Sequence, residues 1–228
     1  MQNLGVVIPA REQSTRIKNK VTLPFFENLN LLEWKINQLT SVISNQQIIV
    51  SSNSENLKNI ANNMGVSYVE RDSYLCDGHK ASFSEVITGI VKDIDFQHIA
   101  WCTVVVPLMS PSEYIRAFKK YKEYVIDKEE NDSLVTVNLV KEYFWDNKGP
   151  LNYNADKNHT ISQDLPNWYK ITNALYMMKK TEIMKKKYFL GKNPFMFEVP
   201  KISGIDIDEY EDYQLALAYK NNYYQKLL

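Results

Sequence analysis

Short apolar runs alternate with helix-patterned segments along most of this chain, and that alternation limits its fold more than any other feature. Leu4 to Ala10 (LGVVIPA) reads as a buried strand ending at Pro9. Leu31 to Ile43 carries apolar residues at helical spacing, and Gln46 to Ser52 reads as a second strand. Ser54 is placed to cap a helix running to Met64, which Gly65 ends. Val66 to Glu70 is a short third strand. Two capping boxes, Ser82-Phe83-Ser84-Glu85 and Ser110-Pro111-Ser112-Glu113, open further helices, the first reaching about Ile94 and the second with proline at its first helical position. Between them, His98 to Val106 is apolar enough for a central strand covered on both faces. Ser133 to Val140, Asn173 to Lys180 and Phe195 to Pro200 read as later strands, and Glu209 to about Tyr223 as a terminal helix. This order predicts an α/β fold with a mostly parallel sheet and helices on both faces.

The rhythm breaks from Lys141 to Ser162, where the chain is polar, aromatic and rich in turns. A hairpin or small lobe inserted into one domain, residues 1–228, is the economical reading, with 141–162 as an arm suited to contact another subunit. The 27 basic and 27 acidic residues balance, which argues against a general nucleic-acid binder but not against a small anionic ligand met by a local cluster. No stretch has the length of a transmembrane helix, and the first residues do not read as a signal peptide. Two cysteines, Cys76 and Cys102, make no disulfide framework and fit a reduced, cytoplasmic setting. The three histidines, His79, His98 and His159, have no metal-ligand spacing.

Two stretches carry candidate chemistry. In open α/β sheets ligands sit at the carboxyl ends of strands. The loop after the first strand holds Arg11, Arg16, Lys18 and Lys20 with Ser14 among them, a set able to neutralise phosphates. It lacks the glycines of a Walker loop, and a solvated basic loop is the alternative. Near the other end, Asp206 and Asp208 alternate as if on a strand, which points both carboxylates to one face. Two carboxylates with room for water suit Mg²⁺ shared with substrate phosphates. The following Glu209, Glu211 and Asp212 can equally be acids enriched at a helix N-terminus.

Ile8 to Lys20 (IPAREQSTRIKNK) resembles the nucleotide-binding signature of the CMP-sialic acid synthetase family, the acylneuraminate cytidylyltransferases. Gly204 to Ala216 resembles that family's late metal-binding segment, and Gln163 to Met177 its stretch between arm and next strand. The matches fall in family order and frame nearly the whole chain. The resemblance implies a Rossmann-like cytidylyltransferase that joins CTP to an eight- or nine-carbon keto-sugar acid and releases pyrophosphate. By position it implies triphosphate contacts for Arg11, Ser14 and Lys20, with Arg16 where relatives vary. Arg71, Ala81 and Ser82 match residues lining the nucleotide site, Gln163 and Tyr176 fall near the sugar acid, and Asp206 and Asp208 match the Mg²⁺ ligands. Arg11, Lys20, Asp206 and Asp208 are thereby the catalytic candidates. It also implies a homodimer whose arm closes the neighbouring acceptor site.

The departures cluster on the acceptor side. A glutamine-containing turn after the central strand is replaced by Val106-Pro107-Leu108-Met109-Ser110-Pro111, and a family arginine before Gln163 is Ser162. The usual Asn-Gly-Ala run appears as Thr172-Asn173-Ala174. The alternatives are a cytidylyltransferase for another acceptor, such as 3-deoxy-octulosonate or an alditol phosphate, and a non-catalytic nucleotide-binding relative. Tyr188 and Phe189 lie where relatives place aromatic groups near the sugar, although core packing explains them as well. Tyr143, Phe144 and Trp145 fit either a sugar cover or a subunit contact.

Overall fold

A computed structural model describes residues 2–77 and 80–224, so His79 lies outside the described residues. The chain opens with β1 (Leu4–Pro9), a hairpin of β2 (Pro24–Phe26) and β3 (Leu29–Asn30), and α1 (Leu31–Thr40). Next come β4 (Ile48–Ser52), α2 (Glu55–Asn63), β5 (Ser67–Glu70), a one-turn α3 (Ser73–Cys76), α4 (Phe83–Val91) and β6 (His98–Cys102). They are followed by α5 (Pro111–Tyr121), β7 (Ser133–Val140), the short pair β8 (Trp145–Asp146) and β9 (Gly149–Pro150), and the long β10 (Trp168–Lys179). The last elements are α6 (Lys180–Lys186), β11 (Pro194–Glu198) and α7 (Tyr210–Tyr224).

Seven strands form one sheet in the order β11-β7-β10-β6-β1-β4-β5. Every pairing is parallel except those of β10, which runs antiparallel to both β6 and β7. Alternation along β1 builds both faces: Leu4, Val6 and Ile8 join a core with α1, α2, α5 and α7, while Val7 joins a second core with α4 and α6. The mostly parallel sheet with helices on both faces agrees with the sequence.

Local signals hold where their partners are near in sequence. Both capping boxes form, with Ser82 and Ser110 accepting from the main-chain N–H of Glu85 and Glu113. Ser54 caps α2 through Leu57 N–H, and Gly65 takes the left-handed conformation, φ +68°, that stops it. The largest shortfalls are at C-terminal ends: the helices beginning at Leu31 and Phe83 end at Thr40 and Val91, not Ile43 and Ile94, and the strand expected to reach Val106 ends at Cys102.

The reason for the last lies in α1. Lys35 Nζ donates to Val106 O at 2.8 Å, Trp34 Nε1 to Pro107 O at 2.9 Å, and Gln38 Nε2 to Pro107 O and Met109 O at 2.9 Å each. These side chains take carbonyls that a longer strand would pair with a neighbour. Lys35 is fully buried, also donates to Tyr114 Oη at 2.7 Å, and is pushed down to about 8 by burial. Burial also pushes the nearby Cys102 thiol up to about 12.

The polar stretch 141–162 leaves the sheet as a small excursion around the β8–β9 hairpin. Phe144 stacks on Trp168 with centroids 5.0 Å apart, and Tyr143 packs against Tyr153 and His159. Trp145, Leu151 and Ile161 remain exposed.

Candidate functional site

The basic loop after β1 is fastened at both ends. Glu12 accepts from Ser54 Oγ at 2.7 Å and Asn56 Nδ2 at 3.1 Å, tying the loop to the start of α2. Ile17 is buried in the core. Lys20, also buried, donates from Nζ to Ile207 O at 2.6 Å and lies 3.8 Å from Asp208 Oδ1. Burial lowers its pKa, against the opposing pull of Asp208. Arg16, more exposed, pairs with Asp208 Oδ1 at 2.6 Å.

The strand expected to carry Asp206 and Asp208 does not form; residues 205–208 belong to no sheet. The alternation survives because Ile207 is fully buried and its N–H donates to Val105 O at 2.8 Å, leaving the flanking aspartates on the opposite side. One such bond replaces a ladder. Gly204 permits the approach: a Cβ there would meet Asn138 Oδ1 at 2.5 Å and Thr172 Cγ2 at 2.6 Å. Asp212, read as a helix-start acid, accepts from the N–H groups of Asp208 and Glu209 at 3.0 and 2.8 Å and so shapes the turn into α7.

A cleft of about 550 Å³ opens at the carboxyl ends of β1, β5 and β6, where Pro9, Arg71 and Thr103 line it. Six sequence candidates line it together: Arg11, Arg71, Ala81, Tyr176, Asp206 and Asp208. Arg71 is buried and anchored, with Nη2 donating to Ala10 O at 2.7 Å and Nε to Cys76 Sγ at 3.0 Å. Ser14, Arg16, Lys20, Ser82 and Gln163 are not among the lining residues. Arg16 and Lys20 reach the cleft through Asp208, as above. Ser82 is committed to capping α4, with Oγ 2.6 Å from Glu85 Oε2. Gln163 lies exposed beside the arm, its carbonyl accepting from Lys141 Nζ at 3.2 Å.

Asn173 is the site residue that sequence reasoning missed. It takes a left-handed conformation, φ +59°, where β10 breaks register between Ile171 and Tyr176. The signal was present, since Asn173 replaces a glycine of the motif it resembles and asparagine is among the residues that tolerate this conformation. The far wall is aromatic. Phe189 packs on Tyr176 with centroids 4.1 Å apart and on Trp101 at 5.4 Å, while Tyr188 and Phe83 edge the opening. Phe189 is thus both core and wall. His98 is occupied elsewhere, 2.9 Å from Tyr121 Oη.

The carboxylate pair suits a hard divalent cation. Asp206 Oδ2 accepts from Asn173 Nδ2 at 2.8 Å, but Oδ1 is buried with no hydrogen-bond partner. Burial raises the pKa of Asp206, the Asn173 hydrogen bond opposes that, and Asp208 adds to the rise. A buried carboxylate oxygen without a donor is costly to leave so, and a cation ligated by Asp206 and Asp208 would satisfy it. Among the described residues no group of three or more His, Cys, Asp or Glu gathers for a metal, so a cation here would draw two carboxylates at most from this cleft and the rest of its shell from water or a bound phosphate. No helix among the described residues is long and apolar enough to cross a membrane.

A family model described as cytidylyltransferase matches residues 5–226. The chain is 24% identical over 218 residues to an N-acylneuraminate cytidylyltransferase of Escherichia coli O18:K1:H7, covering 93% of this chain and 51% of that protein. It therefore spans about half the length of that relative. It is 25% identical over 235 residues to a pseudaminic acid cytidylyltransferase of Campylobacter jejuni subsp. jejuni serotype O:23/36, covering 98% of each chain. A solved CMP:2-keto-3-deoxy-manno-octonic acid synthetase complexed with CTP superposes with a TM-score of 0.70 at 11% identity, covering 96% of this chain and 98% of that one. This last likeness is one of fold.

Proposed function

The chain belongs to the cytidylyltransferase family, and from that membership together with the cleft we infer that it transfers CMP from CTP to a keto-sugar acid of the nonulosonic type, releasing pyrophosphate. The observation that carries the reading is the meeting of Arg11 and Arg71 with the Asp206–Asp208 pair around one cleft at the strand ends. Guanidinium groups suit phosphate oxygens, and paired carboxylates suit the cation that accompanies a triphosphate.

In the proposed reaction the anomeric hydroxyl of the acceptor attacks the α-phosphorus of CTP. A P–O bond forms, the bond to the bridging oxygen breaks, and pyrophosphate departs with the electron pair. Arg11 offsets charge on the leaving group, and the protein otherwise works by positioning. The hydroxyl proton is released to solvent water, because the two carboxylates that line the cleft, Asp206 and Asp208, are assigned to the cation. Asp206 and Asp208 would hold Mg²⁺, which when bound offsets phosphate charge and acidifies a coordinated hydroxyl. The aromatic wall of Tyr176, Tyr188 and Phe189 is assigned to the sugar acid, and Arg71 and Ala81 to the nucleotide side.

The active form is proposed to be a homodimer in which the 141–162 arm meets the partner; Trp145, Leu151 and Ile161, apolar and exposed among polar residues, support this. Pyrophosphate release with CTP, Mg²⁺ and a panel of sialic, pseudaminic and octulosonic acids tests the function. Release with a nonulosonic acid supports it. Release with octulosonate alone moves the acceptor, and tight CTP binding with no release for any acid overturns the transferase reading.

A further inference from the structure

Asn173 occupies a position that its backbone makes unusual and its side chain makes specific. Its left-handed conformation, φ +59°, is held by Thr103 Oγ1, which donates to Asn173 O at 2.7 Å. The amide then bridges two cleft residues. Nδ2 is 2.8 Å from Asp206 Oδ2, and Oδ1 is 2.5 Å from Tyr176 Oη. An ionised carboxylate only accepts, so the amide must turn its NH₂ to Asp206 and its oxygen to Tyr176, whose hydroxyl donates. The direction of the relay is thereby fixed: Tyr176 to Asn173 to Asp206. It uses one oxygen of Asp206 and leaves the other, Oδ1, buried without a partner.

We propose that Asn173 is a positioning residue that sets the rotation of the Asp206 carboxylate, so that Oδ2 is tied back to the protein and Oδ1 is kept as a cation ligand. The proposal rests on the cation reading above. A hydrogen-bonded partner behind a ligating carboxylate orients the ligand before the metal arrives. A glycine could adopt this backbone but could not orient the acid.

The test measures Mn²⁺ binding to the protein–CTP complex by electron paramagnetic resonance, with metal-free CTP affinity and thermal melting followed beside it. Asn173→Gly keeps the backbone conformation and removes the amide. Mn²⁺ affinity should fall roughly 10- to 100-fold, the usual loss on removing such a partner, with metal-free CTP affinity and melting unchanged. A variant that binds Mn²⁺ as tightly as the wild type overturns the proposal alone. A wild type that binds CTP but no Mn²⁺ overturns the proposal and the cation reading together, while leaving the transferase reading to the pyrophosphate assay. If Asn173→Gly does not fold, Tyr176→Phe serves: it frees the far end of the amide, so Mn²⁺ affinity should fall several-fold, and an unchanged value overturns the proposal.

Discussion

Lys20 Nζ donates to the main-chain oxygen of Ile207 at 2.6 Å, joining positions 187 residues apart in sequence. The bond fastens the loop after β1 to the segment that carries both aspartates. A lysine that looks like a free phosphate ligand in the sequence is therefore also a structural tie. Removing it acts on the site from below as well as from the phosphate side.

This separates the two basic candidates. Lys20→Ala leaves Ile207 O without its donor, which costs about 1–3 kcal/mol for a buried group, so melting temperature should fall and affinity for CTP and CMP should fall together. Arg11→Ala, at an exposed residue, should leave melting unchanged and weaken CTP more than CMP, by roughly ten- to a hundredfold for a charge-assisted contact. Calorimetry of both nucleotides beside a melting curve reads the split. Unchanged melting in Lys20→Ala with selective loss of CTP would return Lys20 to the terminal phosphates.

What the sequence disclosed follows the range of each interaction. The caps at Ser54, Ser82 and Ser110 were readable because acceptor and donor lie three residues apart. The β1 loop and the aspartate pair were readable as chemistry, since charge and alternation are local. The tie from Lys20 to Ile207 was not, because nothing near Lys20 names its partner. The early end of β6 was hidden for the same reason: the donors that take the carbonyls of Val106 and Pro107 sit on α1. Residues 205–208 kept their predicted alternation without a strand, because one bond to Val105 and the burial of Ile207 are enough to set it.

The two aspartates should respond differently to removal. Asp206→Ala loses the half-buried carboxylate held by Asn173, and Mg²⁺-dependent turnover should fall by ~100-fold or more, the scale for loss of one charge-stabilising group. Asp208→Ala removes the second proposed cation ligand and also frees Arg16 and part of the field on Lys20. It should lower turnover similarly, while metal-free CTP affinity rises as Arg16 becomes available to phosphate. Circular dichroism should match the wild type in both. Near-normal Mg²⁺-dependent turnover in both variants would remove the metal assignment.

Lys35 makes stability depend on pH. Its pKa is about 8 in the folded chain against 10.5 for a free lysine, so between those values the unfolded chain holds a proton that the folded chain has lost. Stability from this group therefore rises with pH through that window. Cys102 works in the opposite sense from pH 9 upward, since its folded pKa is about 12 against 9. The net gain should appear from pH 8 to 9, on the order of 1 kcal/mol for one pH unit. Urea melts of the wild type and Lys35→Met at pH 7, 8 and 9 check it: the variant's curve should be flatter from 8 to 9, with its loss at every pH set by the donor removed from Val106 O. Parallel curves would mean that Lys35 does not titrate there.

The arm gives the last expectation. Its inner end is built into the domain, because Lys141 Nζ bonds the carbonyls of Gln163 and Leu165 and Phe144 stacks on Trp168. Its outer part holds the β8–β9 hairpin with Trp145 and Leu151 exposed. Replacing residues 145–159 with a short Gly-Ser turn therefore spares the core while removing the outer surface. If that surface joins two chains, the intact protein should scatter light as a dimer and the shortened one as a monomer. If the arm also closes the partner's acceptor site, the monomer should bind CTP normally yet release little pyrophosphate with any sugar acid. An intact protein that is monomeric at working concentration would defeat the dimer. A shortened monomer with full turnover would leave the arm an assembly role and remove it from the acceptor site, because catalysis would then need no residue from the second chain.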